Sequence, residues 1–485
     1  MKKKHFSLYI CGATKGVLEE NIIYMKKFIG NKAFYKMVLV LLIPMVIQQG
    51  ITNFVSLLDN IMVGRLGTES MSGVAIVNQL MFVFNITIFG CISGASIYGA
   101  QFFGKKDYDG VRYTFRFKIY LGVIVCILAT IIFNVWGDKL IKLYLSESAG
   151  GGGDLAFTLS EARGYLKIML WGLVPFMVSQ CYFTTLRETG ETVMPMIASS
   201  IAIFVNLTLN YVLIFGVFGF PALGVRGAAI ATVISRYIET AYIVIRTHRN
   251  YDKFIFIHKV FSSFYIPLDI IKKIAITGTP LLLNEVLWSV GMATITQSYS
   301  VRGLVVMAAL NISSTVSNLF MIVFFAMGGA ISILVGQELG AGNIEKAKDI
   351  DRKLIFFNVS MYVFIGALLA ALSPFIPLIY NTEDNVRTLA TQFLLVYATA
   401  MPLFAFNHSA YFTMRSGGKT ILTFLFDSVF VWVVSLPLAF TLSRYTSINI
   451  VFLYLIVQYS DSIKAIIGGS LLKSGIWARN IIDRQ

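Results

Sequence analysis

The sequence is poor in charge and in the residue patterns that soluble enzymes use. Only 13% of its 485 residues are charged, against about 25% in soluble globular proteins. Its four cysteines have neither paired nor metal-ligand spacing, so no disulfide framework is expected. No HExxH, GxSxG or paired-cysteine motif occurs, and no hydrophilic segment is longer than about 30 residues. A soluble catalytic domain is therefore excluded.

Apolar residues are what the sequence contains in excess. They make up 56% of the chain, which is about 272 residues. Twelve membrane helices of about 20 residues each would need roughly 240 mainly apolar residues, so the chain contains enough for twelve. The formal net charge is +15. The Lys and Arg residues that produce it lie in loops beside the apolar runs, which is typical of residues that set the orientation of a membrane protein next to an anionic inner leaflet. We expect an all-α integral membrane protein whose partner is the lipid bilayer, and no nucleic acid partner.

Apolar runs bounded by charge, glycine or proline predict twelve transmembrane helices. A basic and aromatic segment, 246–273, separates two sets of six and is typical of an amphipathic cytoplasmic connector at a membrane surface. The other predicted domains are a tail over 1–35, a six-helix lobe over 36–245, a second over 274–470, and a tail over 471–485. The spans lie at about 37–62, 71–102, 119–136, 164–186, 193–217, 224–245, 274–299, 306–338, 354–380, 389–414, 420–442 and 447–470.

Charge also predicts the orientation of the chain. The first 24 residues begin with MKKK, but Lys15, Glu19 and Glu20 interrupt the apolar stretch and no small-residue cleavage site follows. We therefore expect a cytoplasmic tail rather than a signal peptide, with Met25 as an alternative start. Most of the 40 Lys and Arg residues lie in segments on the side of this tail, which predicts that both termini are cytoplasmic and that the plasma membrane is the location.

An internal repeat relates the two halves of the chain. Because each repeat contains an even number of spans, both halves enter the bilayer from the same side. This predicts two six-helix bundles related by a pseudo-twofold axis along the membrane normal, with a substrate site near the midplane between them. The matches include, at an offset of 236, Pro44 with Pro280, Gln101 with Gln337 and Gly104 with Gly340, and, at an offset of 228, Arg187 with Arg415.

A polar stripe in the first span ends in a carboxylate. Gln48, Thr52, Ser56, Asp59 and Asn60 recur at helical spacing and form one face. Lipid cannot satisfy this face, and a charge at the bilayer centre costs about 2.5–3.5 kcal/mol on insertion scales. Asp59 is thus a candidate for binding a proton or a cation, whereas the alternative is a solvated group at the outer interface.

Two asparagines lie one turn apart in the fifth span, Asn206 and Asn210. Beside Asp59, their amide oxygens would complete an oxygen-lined Na⁺ site, because hard cations prefer such ligands. Amides also hold helices together inside membrane bundles, so both interpretations stay open.

The second half contains further polar residues within its spans. We take several of them, with Gln48, as candidates for the substrate cavity, and the prolines Pro44 and Pro280 as candidate hinges. Asp427 and Asp461 lie near predicted cytoplasmic ends, where an interfacial role is the alternative. The cavity candidates in this half are Asn284, Glu285, Asn318, Asn407 and His408. The segment RSGGKT ends like a phosphate loop but has no preceding strand, so no ATP binding is expected.

Four motifs together resemble the multidrug and toxic compound extrusion (MATE) family. They are the first-span pattern P(x14)D ending in DNIMVGRLG, LRETGETVMP, NLTLNYVLIFG with FPALGVRGAAIAT, and GQELGAGNIEKAKD. The resemblance covers nearly the whole chain from about residue 36. It implies a twelve-helix exporter with two lobes and a central cavity that expels organic cations in exchange for sodium ions or protons.

The resemblance also implies roles for individual residues. Asp59 matches the first-span carboxylate implicated in ion coupling, and Asn206 and Asn210 match amide positions near it in the sodium-type bacterial branch. Glu285 lies where many members have a seventh-span acid. Some members carry an acid in the tenth span, whereas this chain has Ala405, Asn407 and His408 in that neighbourhood. Ion coupling is therefore expected in the first lobe.

The sequence thus predicts a monomeric secondary antiporter that exports amphipathic, often cationic compounds in exchange for Na⁺ or H⁺. It needs no cofactor and no ATP. One alternative is a flippase for lipid-linked saccharides, which a strongly basic cavity would favour. Another is an intramembrane enzyme using Glu285 and His408. The sequence does not decide substrate identity, the coupling ion or its stoichiometry, and the expected monomer is not read from any residue pattern.

Overall fold

The computed structural model describes residues 27–147, 154–380 and 382–483. Within these ranges the chain is helical and contains no β-strand, and twelve of its helices are long and apolar enough to cross a membrane. The predicted all-α membrane fold is confirmed. The helices are α1 (Lys32–Gly64), α2 (Thr68–Gly104), α3 (Tyr108–Glu147), α4 (Leu155–Glu188), α5 (Val193–Phe215), α6 (Gly224–Arg249), α7 (Leu268–Ser300), α8 (Leu304–Phe320 and Ile322–Gly340), α9 (Ile344–Leu372), α10 (Asp384–Ser416), α11 (Thr420–Tyr445) and α12 (Ile450–Ser474).

Local sequence signals account for several helix ends. Asn31 is the N-cap of α1, where its side chain accepts a hydrogen bond from the Phe34 amide (2.8 Å). Asp154 caps α4 in the same way through two backbone amides. Gly216 ends α5 in the left-handed conformation, with φ of 71°, which glycine adopts without steric cost. The predicted cytoplasmic tail over residues 1–24 and the alternative start at Met25 lie outside the residues that the structure describes.

Two predicted spans differ from the observed helices. The ninth span was expected to continue to residue 380, but α9 ends at Leu372 because Pro374 and Pro377 follow and proline cannot continue a helix. The eighth span is divided at Met321 into two segments, which the unbroken apolar run did not indicate. The other helices mostly extend beyond the apolar runs, because charged turns continue a helix past the bilayer.

The outer surface of the bundle is apolar. Large side chains such as Trp171, Phe204 and Phe364 are more than two-thirds exposed, and exposed apolar surface of this extent is typical of contact with lipid.

The 250–267 segment between α6 and α7 lies against the first lobe, α1–α6, where Phe256 is buried in the core. Arg116 holds it by donating to the carbonyl oxygens of three residues in this segment.

The first lobe meets the second lobe, α7–α12, where α2 crosses α8 near the ends of both helices. A Cβ atom built on Gly104 would lie 1.9 Å from the carbonyl oxygen of Gln337, and one built on Gly340 would lie 1.9 Å from that of Gln101. The backbones therefore approach as closely as only glycine permits. We call this side of the protein the closed face; the sequence predicts that it is cytoplasmic.

Hydrogen bonds join the lobes at the closed face in a repeat-related pair. Gln101 Nε2 donates to the Ser416 carbonyl (3.0 Å), and Gln337 Nε2 donates to the Glu188 carbonyl (2.7 Å). The carboxyl-terminal segment 475–483 adds to this contact. In it, Asn480 donates to the carbonyl of Gly340 in the second lobe (3.3 Å), and Asp483 pairs with Lys105 in the first lobe (2.5 Å).

A methyl group at the α2–α8 crossing is expected to hold the lobes apart. In Gly104→Ala, the new Cβ atom would overlap a backbone oxygen that cannot move without its helix, so the closed face should open. The distance between spin labels at exposed Asp109 and Lys346, measured by electron paramagnetic resonance with the native cysteines replaced, should increase. Gly50→Ala is the matched control, because no atom lies within 4 Å of a Cβ built there. An unchanged distance distribution in the Gly104 variant would contradict the proposed contact.

Candidate cation site and central cavity

A polar cluster inside the first lobe joins α1, α5 and α6. Asn210 Nδ2 donates to Asp59 Oδ1 (2.6 Å) and to Asn206 Oδ1 (3.1 Å). The amide atom of Asn206 that faces Asp59 lies 3.1 and 3.3 Å from the two carboxylate oxygens. The other amide atom lies 3.3 Å from Thr232 Oγ1. The structure thus brings together the three residues that the sequence assigned to cation coupling and adds Thr232.

Helical spacing explains how these side chains converge. Asn206 and Asn210 are one turn apart on α5 and are only 6% and 1% exposed, so both amides point into the lobe. Asp59 lies near the end of α1 that is remote from the closed face, and it is half-buried. Thr232 comes from α6, which packs along α5. The cluster is therefore enclosed by three helices of one lobe.

The cluster has the ligand atoms that a hard monovalent cation takes. The cluster carries two carboxylate oxygens, two amide oxygens and one hydroxyl oxygen, and Asn210 Oδ1 has no hydrogen-bond partner among the described residues. When the Asn206 oxygen faces Asp59, two acceptor atoms are in contact and need a proton or a cation between them. When the amide is turned, its nitrogen donates to the carboxylate instead. The Asn206 amide can thus satisfy Asp59 with or without an ion.

Gln48 lies in the first lobe in a different network. It accepts from Arg187 Nη2 (2.6 Å) and donates to Ser199 Oγ (2.7 Å), and Ser199 donates to Glu239 Oε1 (2.7 Å). This network joins α1, α4, α5 and α6. Gln48 therefore points into the lobe, whereas its neighbour Gln49 lines the cavity between the lobes.

A second polar cluster lies inside the second lobe around Asn284. Its amide nitrogen donates to Asp427 Oδ2 (3.2 Å) and to the Tyr411 hydroxyl (3.3 Å), and its amide oxygen accepts from Ser428 Oγ (2.7 Å). Lys464 Nζ donates to Asp427 Oδ1 (2.6 Å). An ammonium group thus already neutralises the carboxylate of this cluster.

Asp427 and Asp461, for which an interfacial role was the alternative, both bond to neighbours within the second lobe. Asn407 Nδ2 donates to the Asp461 carbonyl (3.0 Å) and approaches its carboxylate (3.4 Å). Asn407 is itself buried. Both acids therefore belong to the polar interior that α10, α11 and α12 enclose.

The remaining second-half candidates do not form a catalytic pair. The His408 ring stacks on Phe324 with centroids 3.6 Å apart, and its Nδ1 has no partner among the described residues. Glu285 forms no ion pair in the described part of the chain, and it is not bonded to His408. Asn318 is exposed on α8.

A central cavity of about 320 Å³ lies between the lobes. The sequence candidates Gln48, Asn284, Glu285, Asn318, Asn407 and His408 are not among its lining residues, since the polar stripes mostly turn into the lobes rather than between them. Repeat-related residues line it instead. The pairs are Phe89 with Phe325, Ser96 with Ser332 and Arg187 with Arg415.

The two candidate hinge prolines lie inside long helices, Pro44 in α1 and Pro280 in α7. Each removes one backbone hydrogen bond from its helix. Met45, next to Pro44, reaches the second lobe, since its Cε atom lies 2.4 Å from a Cβ built on Gly329 of α8. A change in the bend of α1 would therefore move a contact between the lobes.

Sequence reasoning missed several charged residues that the helices bury. Lys118 and Glu188 form an ion pair with side chains 0% and 5% exposed, and Lys464 and Glu239 are likewise inside lobes. Lys118 was assigned to a loop because it lies next to the start of a predicted span. The available signal was a charge inside an apolar run, as for Glu239 in RYIETAY and for Lys464 in the predicted span 447–470.

Known proteins share both the sequence pattern and the fold. The MatE family model matches residues 44–212 and 280–441. The probable multidrug resistance protein NorM of Thermotoga maritima is 24% identical over 432 residues, covering 87% of this chain and 89% of that protein. The probable multidrug resistance protein YoeA of Bacillus subtilis is 24% identical over 441 residues, covering 89% and 91%.

A solved structure has the same architecture. A MOP-superfamily transporter from Pyrococcus furiosus superposes with a TM-score of 0.80 at 19% sequence identity, covering 93% of this chain and 97% of that one. The family match extends over both lobes and includes the α1 and α5 residues of the cation-site candidate. The chain therefore belongs to the MatE family of multidrug efflux transporters and is a membrane transporter rather than an enzyme.

Proposed function

We propose that this protein is a secondary antiporter that exports amphipathic organic compounds across the plasma membrane in exchange for Na⁺ or H⁺. The observation that carries the proposal is the enclosed cluster of Asp59, Asn206, Asn210 and Thr232. A carboxylate held inside a lobe changes its interactions with the arrival of a cation, and that difference can bias two conformations. Its ligand set supports Na⁺, and its carboxylate supports H⁺.

The cluster and the cavity are connected through α1. Asp59 lies near one end of this helix, Pro44 lies towards the other, and Met45 contacts the second lobe. In the proposed cycle, a cation reaches Asp59 from outside and changes the bonding between α1 and α5. The bend at Pro44 then changes, the lobes move, and the compound in the cavity is released outside.

The available energy suffices for this exchange. One cation that enters in exchange for an uncharged compound supplies about 2.3 kcal/mol across a potential of 100 mV, which sustains roughly a fiftyfold concentration gradient. The proposal includes a monomer, because each lobe holds its own polar interior. It places both termini in the cytoplasm, on the side where most Lys and Arg residues lie, and it needs no ATP because the coupling ion provides the driving force.

Separately imposed ion gradients test the proposal and identify the ion. Purified protein in proteoliposomes loaded with a fluorescent dye should transport the dye when an inward Na⁺ gradient at equal pH, or an inward H⁺ gradient without Na⁺, is imposed. Dissipating the effective gradient with the matching ionophore should stop transport. Equal transport rates with and without both gradients would contradict ion-coupled antiport.

A further inference from the structure

The wall of the central cavity contains buried hydrogen-bond donors without acceptors. Arg187 Nε, Arg415 Nη1 and Ser332 Oγ are buried and have no partner among the described residues, and all three residues line the cavity. The two guanidinium nitrogens can only donate, and no amide or carboxylate oxygen of a lining residue is among the buried side-chain atoms without a partner in that part of the chain. Since buried polar groups are normally paired, the wall is complementary to a ligand that brings acceptors.

The cavity also lacks a carboxylate that is free for a cationic ligand. Glu188 is the one acid among its described lining residues. Both of its oxygens accept from Lys118 Nζ, at 2.6 and 2.8 Å. In the second lobe, Asp427 is paired with Lys464 (2.6 Å), and neither Asp427 nor Glu285 lines the cavity. A cationic group in the cavity would therefore find its nearest acid already neutralised.

Arg415 is the centre of this donor-rich wall. It is 6% exposed, and no carboxylate lies within 4 Å of its guanidinium among the described residues. Its guanidinium carbon lies 5.2 Å from the ring centroid of Phe412 and 5.8 Å from that of Phe89. Burying a guanidinium that no carboxylate contacts is costly, and a bound anion would lower that cost. The rings provide a flat apolar surface beside the charge.

We infer that the central cavity binds amphipathic organic anions. Arg415, with Arg187 across the pseudo-twofold axis, holds a carboxylate, sulfonate or phosphate group, because a guanidinium matches such planar or multidentate acceptors. The apolar body of the ligand packs against Phe89, Phe325 and Phe412. This inference rests on the proposed function in taking the cavity as the transport path, and it replaces the expectation of cationic substrates with anionic ones.

Two dyes with the same xanthene ring system and opposite charge test the inference. Fluorescein is anionic and rhodamine 6G is cationic, and their binding to the protein in detergent is measured by fluorescence polarisation without any ion gradient. Fluorescein should bind more tightly. Arg415→Gln should weaken fluorescein binding by about 10- to 100-fold, as expected for loss of a charge-assisted hydrogen bond, and rhodamine 6G binding by less than about threefold. Arg415→Lys should restore part of the fluorescein affinity, since it keeps the charge but loses the planar fork.

A second variant keeps the test decisive if the Arg415 variants do not fold. Ser332→Asp adds a carboxylate to the same wall and should weaken fluorescein binding without weakening rhodamine 6G binding. The two assays separate this inference from the proposed function: fluorescein binding in detergent that depends on Arg415, together with dye transport that is independent of both ion gradients, would refute the antiport and leave this inference standing. Tighter binding of rhodamine 6G than fluorescein, or an equal loss of both in the Arg415 variant, would overturn the inference.

Competition distinguishes a soluble anion from a lipid-linked one. If polyprenyl phosphate displaces bound fluorescein and short-chain alkyl phosphates do not, the anion is lipid-linked, as in the flippase alternative. If simple aromatic carboxylates displace it equally well, the substrate is a soluble organic anion. Both results require Arg415 and support the inference. Failure of every anion to displace the dye from a site that depends on Arg415 would overturn it.

Discussion

Asp59→Asn is expected to abolish ion-driven efflux from proteoliposomes while the protein stays folded. The amide keeps the size of the carboxylate and can still accept from Asn210, so the packing of α1 against α5 should be preserved. It carries no charge and cannot exchange a proton or hold a cation, so the ion gradient no longer distinguishes two conformations. Efflux should fall to the rate measured without a gradient, whereas dye binding in detergent should persist.

The control for this variant is Asp252→Asn. It makes the same change of carboxylate to amide at an exposed residue of the segment between α6 and α7, remote from the cluster. Its gradient-driven efflux should equal that of the unmodified protein. Gradient-driven efflux that survives unchanged in the Asp59 variant would show that coupling resides elsewhere, and the second-lobe cluster around Asp427 would be examined next.

The second large effect is expected on stability at the buried ion pair between α3 and α4. Lys118 Nζ lies 2.6 and 2.8 Å from the Glu188 oxygens and 3.0 Å from Thr185 Oγ1. Lys118→Met leaves the Glu188 carboxylate buried without a counter-charge. The free energy of unfolding should fall by about 3–5 kcal/mol, which denaturant or thermal unfolding in detergent can measure. Adding Glu188→Gln to the same chain should recover most of that loss, because neither member of the pair is then charged.

An exposed pair provides the comparison for Lys118. Arg163 donates to both carboxylate oxygens of Asp138, at 2.8 and 2.7 Å, but the two side chains are 45% and 53% exposed. Arg163→Met should change the free energy of unfolding by no more than about 1 kcal/mol, because water already solvates both charges. If the two Lys/Arg→Met variants were equally stable, burial would not be what makes the Lys118 pair important.

The sequence predicted the cation-site candidate because its residues carry local signals. Asp59 is a lone acid in an apolar run, and Asn206 and Asn210 are spaced by one turn, so each helix shows by itself which face is polar. The family resemblance indicated that the polar face of α1 and the polar face of α5 lie next to each other. Thr232 escaped notice because an isolated threonine in a membrane helix usually bonds to its own backbone, and this one does donate to the Ala228 carbonyl (3.0 Å).

The cavity could not be predicted in the same way. Periodicity shows that Gln48 and Asn284 avoid lipid, but it does not show whether they turn into a lobe or towards the space between lobes. That choice depends on the rotation of each helix against its neighbours, which distant residues determine. Arg187 and Arg415 were visible as a repeat-related pair, yet their positions at the ends of apolar runs were also consistent with loop charges.

The crossing at Gly104 and Gly340 has a consequence for how fast the lobes can rock. Glycines contribute no rotamers, so forming this junction immobilises few side chains, and separating it exposes little apolar area. The barrier to opening this side should then arise from contacts outside the crossing. These are the glutamine bonds, the carboxyl-terminal attachment and the apolar contacts between the lobes, in which Ile274 packs in the core of the first lobe and Val38 shares a core with α8. The glycine crossing itself can thus separate and re-form without rearranging the interior of either lobe.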